Sequence, residues 1–175
     1  MAVHTDLRSM SVEAIEEYLA IAEHCISTRK TNGGLYGYPS VLLLFCIIDA
    51  LSNYVGHPKN TLRGIRSIFP GLTKKQIQDL KNWYRNLPAH QAIIMPGTQL
   101  SAEPTGTPIE FGPDGEPTHI RVIPFYQLVR RGWDAFDKNR INPKVDPKQA
   151  PKKPVPTPGP PLPGISGCYV TTAKP

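Results

Sequence analysis

The stretch VLLLFCII at positions 41–48 constrains the fold of this chain more than any other. A surface helix keeps a polar side and a half-exposed strand alternates; this run does neither, so it belongs to an element enclosed by protein on all sides. Pro39 or Ser40 is suited to open a helix, and DALSNYV continues it, so the expectation is a helix at the centre of a helical bundle. Eight apolar residues make about half of a bilayer span. The opening MAVHTDLRSM lacks the apolar core of a secretory signal, and a soluble, cytoplasmic protein with no membrane partner is expected. Asp49 interrupts the apolar run beside Ile47, Ile48 and Leu51. A carboxylate is costly to bury there without a partner, so Asp49 is either a polar edge position or a supporting residue of a site.

Other helices can be read around this centre. Val12, Ile15, Leu19, Ala22 and Ile26 recur every three or four residues, giving an amphipathic helix over 9–27 that Ser9 or Ser11 would cap, with Glu13, Glu16 and Glu17 at its positive end. The Gly-rich segment STRKTNGGLYGYPS reads as a loop. A short helix is expected over 61–69, ended by Pro70 and Gly71, and a longer one from Thr73, with Thr73 as cap and Ile77, Leu80, Tyr84 and Leu87 as its apolar stripe. TPIEFGPDGEPTHIRVI alternates around a Pro-Asp-Gly turn like a small β-hairpin. PFYQLVRRGWDAFDKNR then returns to helical period, with Phe125, Leu128, Val129, Trp133 and Phe136 on one side.

From 142 onward the composition changes: ten of the last 34 residues are proline. No core forms from such a sequence, so 1–141 is expected to be the folded domain and 142–175 a disordered or polyproline tail. Its PPLP segment suits an aromatic groove on a partner, or is simply solvated.

Charge is concentrated. Residues 59–85 carry seven basic groups (Lys59, Arg63, Arg66, Lys74, Lys75, Lys81, Arg85) against Asp79 alone, while 1–58 carry three against six acids. Such a local excess suits a polyanion, because Lys and Arg at phosphates release condensed counterions, although a solvated lysine-rich helix face has the same composition. Cys25, Cys46 and Cys168 are odd in number and far apart, which suggests neither a disulfide framework nor a metal site; no cofactor is implied.

The basic stretch runs into WYRNLPAHQ, where Arg85 and His90 stand five positions apart. Five residues turn a straight helix through about 500°, so the two side chains would point about 140° apart. Pro88 lies between them and removes an amide donor, which favours a bend or helix end. Two copies of the helix facing each other across a two-fold axis would also bring Arg85 and His90 into one cleft. The pair suits cleavage of an RNA phosphodiester. An imidazole transfers protons near neutrality, a guanidinium holds phosphate oxygens as negative charge builds, and the ribose 2′-OH supplies the nucleophile without a metal. Asn86 is placed to hydrogen-bond the phosphate or orient a neighbour.

YPSVLLLFCIIDALSNYVG, followed by the basic helix and WYRNLPAHQ, resembles the HEPN superfamily (higher eukaryote and prokaryote nucleotide-binding domains) over roughly residues 10–140. The resemblance implies a mainly α fold: a HEPN-like helical bundle, here with a small β-hairpin before the last helix and the Pro-rich tail appended. It implies a homodimer with a composite cleft and, as in many members, metal-independent endoribonuclease activity in toxin–antitoxin or other defence systems. By that resemblance Arg85 contacts the scissile phosphate, His90 is the acid or base, and Asn86 fills the polar position. Lys74, Lys75, Lys81, Arg63 and Arg66 would hold the RNA, with Asp49 as possible support and an antitoxin or other protein as a further partner. The family also includes members that bind RNA, nucleotides or proteins without cleavage, and a binding module is the alternative.

Among single residues, His4, His24, His57 and His119 share no metal-like spacing and read as surface or edge positions. Trp83 and Trp133 lie at helical period beside apolar residues, as core or interface groups do. Tyr36 and Tyr38 would anchor the Gly-rich loop, or stack a base if that loop borders a cleft.

Overall fold

A computed structural model describes residues 6–54, 68–69, 71–82 and 94–143. The chain divides into two units, 1–143 and 144–175, and every described residue lies in the first. Most of the helix expected over 61–69, the far end of the Thr73 helix with Tyr84 and Leu87, and the bulk of the Pro-rich tail lie outside the described residues.

Helix α1 spans Leu7–Ser27 and is opened by Asp6, not by Ser9 or Ser11. The Asp6 carboxylate accepts from the Ser9 amide at 2.9 Å and from the Ser9 hydroxyl at 2.6 Å, so Ser9 serves the cap as a donor. These bonds lower the Asp6 pKa and satisfy an amide that has no partner within the helix. The Ser11 hydroxyl bonds back to the Leu7 carbonyl at 2.8 Å. Ile15, Leu19 and Ala22 are buried along one side, with Val12 and Ile26 packed at its ends.

The Gly-rich loop turns through Gly33, whose φ of 81° is open to glycine and strained for most other residues. It is fastened by the Lys30 amide on the Gly34 carbonyl at 2.8 Å and by an isolated bridge between Arg29 and Leu35. Helix α2 then spans Gly37–Tyr54, starting slightly before Pro39, which its first turn accommodates. Val41, Leu44, Phe45, Ile47, Ile48 and Leu51 are buried, and the buried Ser40 hydroxyl donates to the Ala22 carbonyl of α1 at 3.4 Å. With 18 residues and a mean hydropathy of 1.2, α2 is long and apolar enough to cross a membrane by composition. Here 56% of it is buried inside the protein against α1 and the last helix, which is the place expected of a central core helix. Asp49 shares that burial at 8% exposure and is engaged in an interaction, so it is no solvated edge position.

Helix α3, Lys74–Asp79, carries the expected cap. The Thr73 hydroxyl accepts from the Gln76 amide at 3.2 Å while Gln76 Oε1 accepts from the Thr73 amide at 2.8 Å, a reciprocal capping box. Ile77 and Leu80 are buried, and the helix widens into a π-turn at 80–82.

The expected hairpin forms between β2 (Ile109–Phe111) and β3 (Pro117–Arg121), antiparallel, with a bulge between Glu110 and Phe111. Its turn closes through the Gly112 amide on the Glu116 carbonyl at 2.8 Å, with Gly115 at φ 80°. A third strand, β1 (Gln99–Ser101), lies parallel to β3 on its other side, giving the order β1-β3-β2. Leu100, Ile109 and Ile120 pair across the three strands and pack into the core.

Helix α4, Val122–Asp134, follows β3 without a loop. Phe125 stacks obliquely on Phe45 of α2, with ring centroids 5.1 Å apart, and on Phe69 at 5.9 Å. Trp133 is fully buried; its indole Nε1 donates to Glu16 of α1 at 2.6 Å, and the same carboxylate accepts from Arg130 at 2.7 Å. Burying each of these large side chains contributes about 1.5–3 kcal/mol. The described chain is thus mainly helical, with α1, α2 and α4 around one core and a small three-stranded sheet at the entry to α4.

Candidate functional site

Arg85, Asn86, Pro88 and His90, together with Lys59, Arg63 and Arg66, lie outside the described residues. The remaining basic positions sit on or just past α3. Lys74 is exposed, Lys81 is half-buried, and Lys75 is an exposed cation tied to Asp79 at 2.9 Å and to the Asp114 carbonyl of the hairpin turn at 3.1 Å. Its bond to Asp79 raises the Lys75 pKa. Asp49 lies within the core on α2, in surroundings unlike those of the exposed Lys74 and Lys75.

A dense polar cluster occupies the outer face of the sheet, and its centre is a histidine that reads from sequence as a surface or edge position. His119 is only 8% exposed. The reason is register. His119 stands on the central strand, opposite Gln99 of β1 and Glu110 of β2, while its neighbour Ile120 faces the core. His119 Nε2 lies 2.7 Å from Ser101 Oγ, and Nδ1 lies 3.6 Å from Glu110 Oε2.

Arg121, two residues along the same face, locks the outer rim. Its guanidinium donates to Glu110 Oε1 at 2.6 Å, to the Thr107 carbonyl at 3.0 Å and to the Glu103 carboxylate. The Arg121 contact is the main reason the Glu110 pKa is lowered, and Glu110 followed by Glu103 raises that of Arg121. Gly106, at φ 109°, lets this happen: a Cβ there would meet Arg121 Nε at 2.8 Å.

Beside Ser101 a cleft of about 260 Å³ opens between the Gly-rich loop and β1. Arg29, Lys30, Tyr38, Leu100, Ser101 and Val122 are among its lining residues, and among the described residues no acidic side chain lines it. The Gly-rich loop therefore does border a cleft, which Tyr38 lines from the first turn of α2, and Lys30 lies over the ring of Tyr36 at 5.3 Å. Gly37 makes the close approach possible, since a Cβ there would meet Leu100 Cδ1 at 3.2 Å.

Among the described residues no group of three His, Cys, Asp or Glu side chains is placed to hold a metal ion. Burial raises the Cys25 pKa, which keeps that thiol protonated and unreactive. No family model, curated protein or solved structure matches the chain.

His119 was within reach of the sequence. Placing IEF opposite THIR across the Pro-Asp-Gly turn puts an acid against the histidine, with an arginine two positions on. Ser101 had no such signal, because three residues, QLS, are too few to show a strand period and their partner is parallel.

Proposed function

We propose that the chain is a metal-independent endoribonuclease of HEPN type that acts as a homodimer, with Arg85 and His90 of both subunits lining one cleft. The observation that carries this reading is the sequence Arg85-Asn86 followed by His90, arriving directly after a basic helix. The mainly helical architecture supports it, with the apolar α2 in the core and the capped α3 preceding the motif in sequence. The exposed Lys74 beside Lys75 supports an electrostatic approach for RNA, to which Lys81, Arg63 and Arg66 add charge.

In this reading the ribose 2′-oxygen attacks phosphorus as its proton passes to a base. Arg85 holds the nonbridging oxygens, Asn86 orients the phosphate, and the 5′-oxygen leaves with a proton; His90 carries one of the two transfers. The products are a 2′,3′-cyclic phosphate and a 5′-hydroxyl. An antitoxin-like protein that masks the cleft fits a defence role.

Single-stranded RNA incubated with the full chain in EDTA is expected to yield fragments ending in 2′,3′-cyclic phosphate. His90→Ala should lower the rate about 10²–10⁴-fold, as loss of a general acid or base does, and Arg85→Ala comparably. Undiminished cleavage by His90→Ala removes that residue from the mechanism. Salt-sensitive RNA retention by the wild type without any turnover assigns a binding module instead.

A further inference from the structure

We propose that Ser101 is an activated nucleophile, with His119 as its base and Glu110 positioning the imidazole, in a site that hydrolyses carboxylic esters bearing an anionic group. The proposal uses no residue of the Arg85 and His90 motif and stands on different observations.

The first observation is the order of groups. A buried histidine kept only for packing needs one partner, and a backbone carbonyl would serve. His119 instead has a hydroxyl at one ring nitrogen and a carboxylate facing the other, at 2.7 Å and 3.6 Å. With hydrogen on Nδ1, Nε2 accepts from Ser101 Oγ while the Nδ1 hydrogen faces Glu110. This is the sequence of roles that makes an alcohol nucleophilic, recognisable by geometry on any fold.

The second is how rigidly the three are placed. Each comes from a different strand, Ser101 from β1, His119 from β3 and Glu110 from β2, and the base stands on the central one. Arg121 clamps the Glu110 carboxylate from the far side, so the acid that faces the imidazole stays ionised and fixed.

The third is where the serine stands. It lies on the wall of the 260 Å³ cleft, whose lining includes Arg29 and Lys30 and, among the described residues, no Asp or Glu. A substrate there meets two cations and apolar surface from Leu100 and Val122, which selects a short acyl chain carrying negative charge.

The reaction balances with water as the co-reactant. Ser101 Oγ bonds to the ester carbonyl carbon as its proton moves to His119 Nε2, and the carbonyl π electrons go to oxygen. Collapse of the tetrahedral intermediate breaks the bond to the alcohol oxygen, which leaves with the Nε2 proton. Water then attacks the acyl-serine, gives a proton to Nε2, and that proton returns to Ser101 Oγ as the acid departs.

The test uses the full chain. A fluorophosphonate probe is expected to form an adduct that peptide mass spectrometry places on Ser101, and Ser101→Ala and His119→Gln should each abolish it while circular dichroism stays that of wild type. Hydrolysis of 4-nitrophenyl hydrogen adipate should exceed that of 4-nitrophenyl acetate about tenfold, as one well-placed charge contact allows, and the preference should vanish in the Arg29→Ala, Lys30→Ala double variant. Glu110→Gln should lower kcat by about 10²–10⁴-fold with little change in KM, since the imidazole loses the carboxylate that orients it, and Glu110→Asp should recover part of the loss. An unlabelled Ser101 in folded wild-type protein overturns the proposal. So does an adduct that survives His119→Gln.

Discussion

Asp49 on α2 and His119 on β3 are equally hidden, each at 8% exposure, yet the surroundings that hide them differ in kind. Around α2 water is kept out by close-packed hydrocarbon: Val41, Leu44, Phe45, Ile47 and Ile48 on the helix itself, and Phe125 and Val129 from α4. On the outer face of the sheet it is kept out by a network of charge and hydrogen bonds, Ser101 to His119 to Glu110 to Arg121 to Glu103, over half-exposed carboxylates. Hydrocarbon packing itself carries no titrating group, so it responds little to pH, and it tolerates changes of identity that conserve volume. The second depends on ionisation and on register, and every member needs its neighbours. A fold that uses both has a stable half and a chemically responsive half.

The largest expected effect tests the hydrocarbon half. Trp133→Ala removes a fully buried indole and leaves the Glu16 carboxylate without its Nε1 donor, and should destabilise the protein by about 3–5 kcal/mol in urea unfolding. A loss below about 1 kcal/mol would mean that α4 is not anchored as described.

A smaller effect is expected from Arg121→Met, which keeps the length of the side chain but leaves Glu110 and Glu103 without their shared cation. Thermal melting should shift down by clearly less than for Trp133→Ala, and 0.5 M salt should narrow the gap between Arg121→Met and wild type, because screening weakens only the ionic half. If salt leaves that gap unchanged, the network is held by packing and the contrast between the two regions fails.

The smallest effect concerns pH. The indole of Trp133, ahead of Arg130, lowers the Glu16 pKa below its ordinary value of 4.5. The unfolded chain therefore takes up this proton first as pH falls, so the stabilisation from Glu16 is complete above the ordinary value and is lost progressively below it, through the folded value. The melting temperature measured from pH 6 down to pH 3 should fall, and Trp133→Phe, which keeps the ring and removes the donor, should flatten that fall. An unchanged slope in Trp133→Phe would show that other carboxylates carry the acid sensitivity.

Much of the hydrocarbon half was legible in the sequence, because the period of apolar residues is set by the geometry of the helix that buries them. The stripes of α1 and α4, the all-round apolar run of α2 and the Thr73 cap could be read directly. The hairpin was legible through its Pro-Asp-Gly turn. The cap at Asp6 was misassigned to Ser9 or Ser11 because Asp, Ser and Thr have similar preferences at helix starts, and only hydrogen-bond direction separates them. Placing the start of α4 at Pro124 missed its first two residues because Val122 and Ile123 suit a strand equally well. The polar half resisted for a different reason: its meaning lies in which residues stand opposite each other. His119 is an ordinary histidine until Glu110 is placed across from it, and β1 leaves almost no periodic trace.

The order β1-β3-β2 also mixes local and non-local pairing in one small sheet. β2 and β3 are neighbours along the chain and join through a five-residue turn at 112–116, so their pairing is a local and fast event. β1 is parallel to β3, and Leu100 meets Ile120 only after the intervening chain, with the whole of β2, has been laid down. Moreover Leu100 rests against Gly37 at the start of α2, so β1 finds its complete seat only once the helical core and the hairpin have met. Ser101 thus reaches its cluster on a strand whose seat spans both the hairpin and the helical core, which ties the Ser101–His119–Glu110 arrangement to completion of the fold.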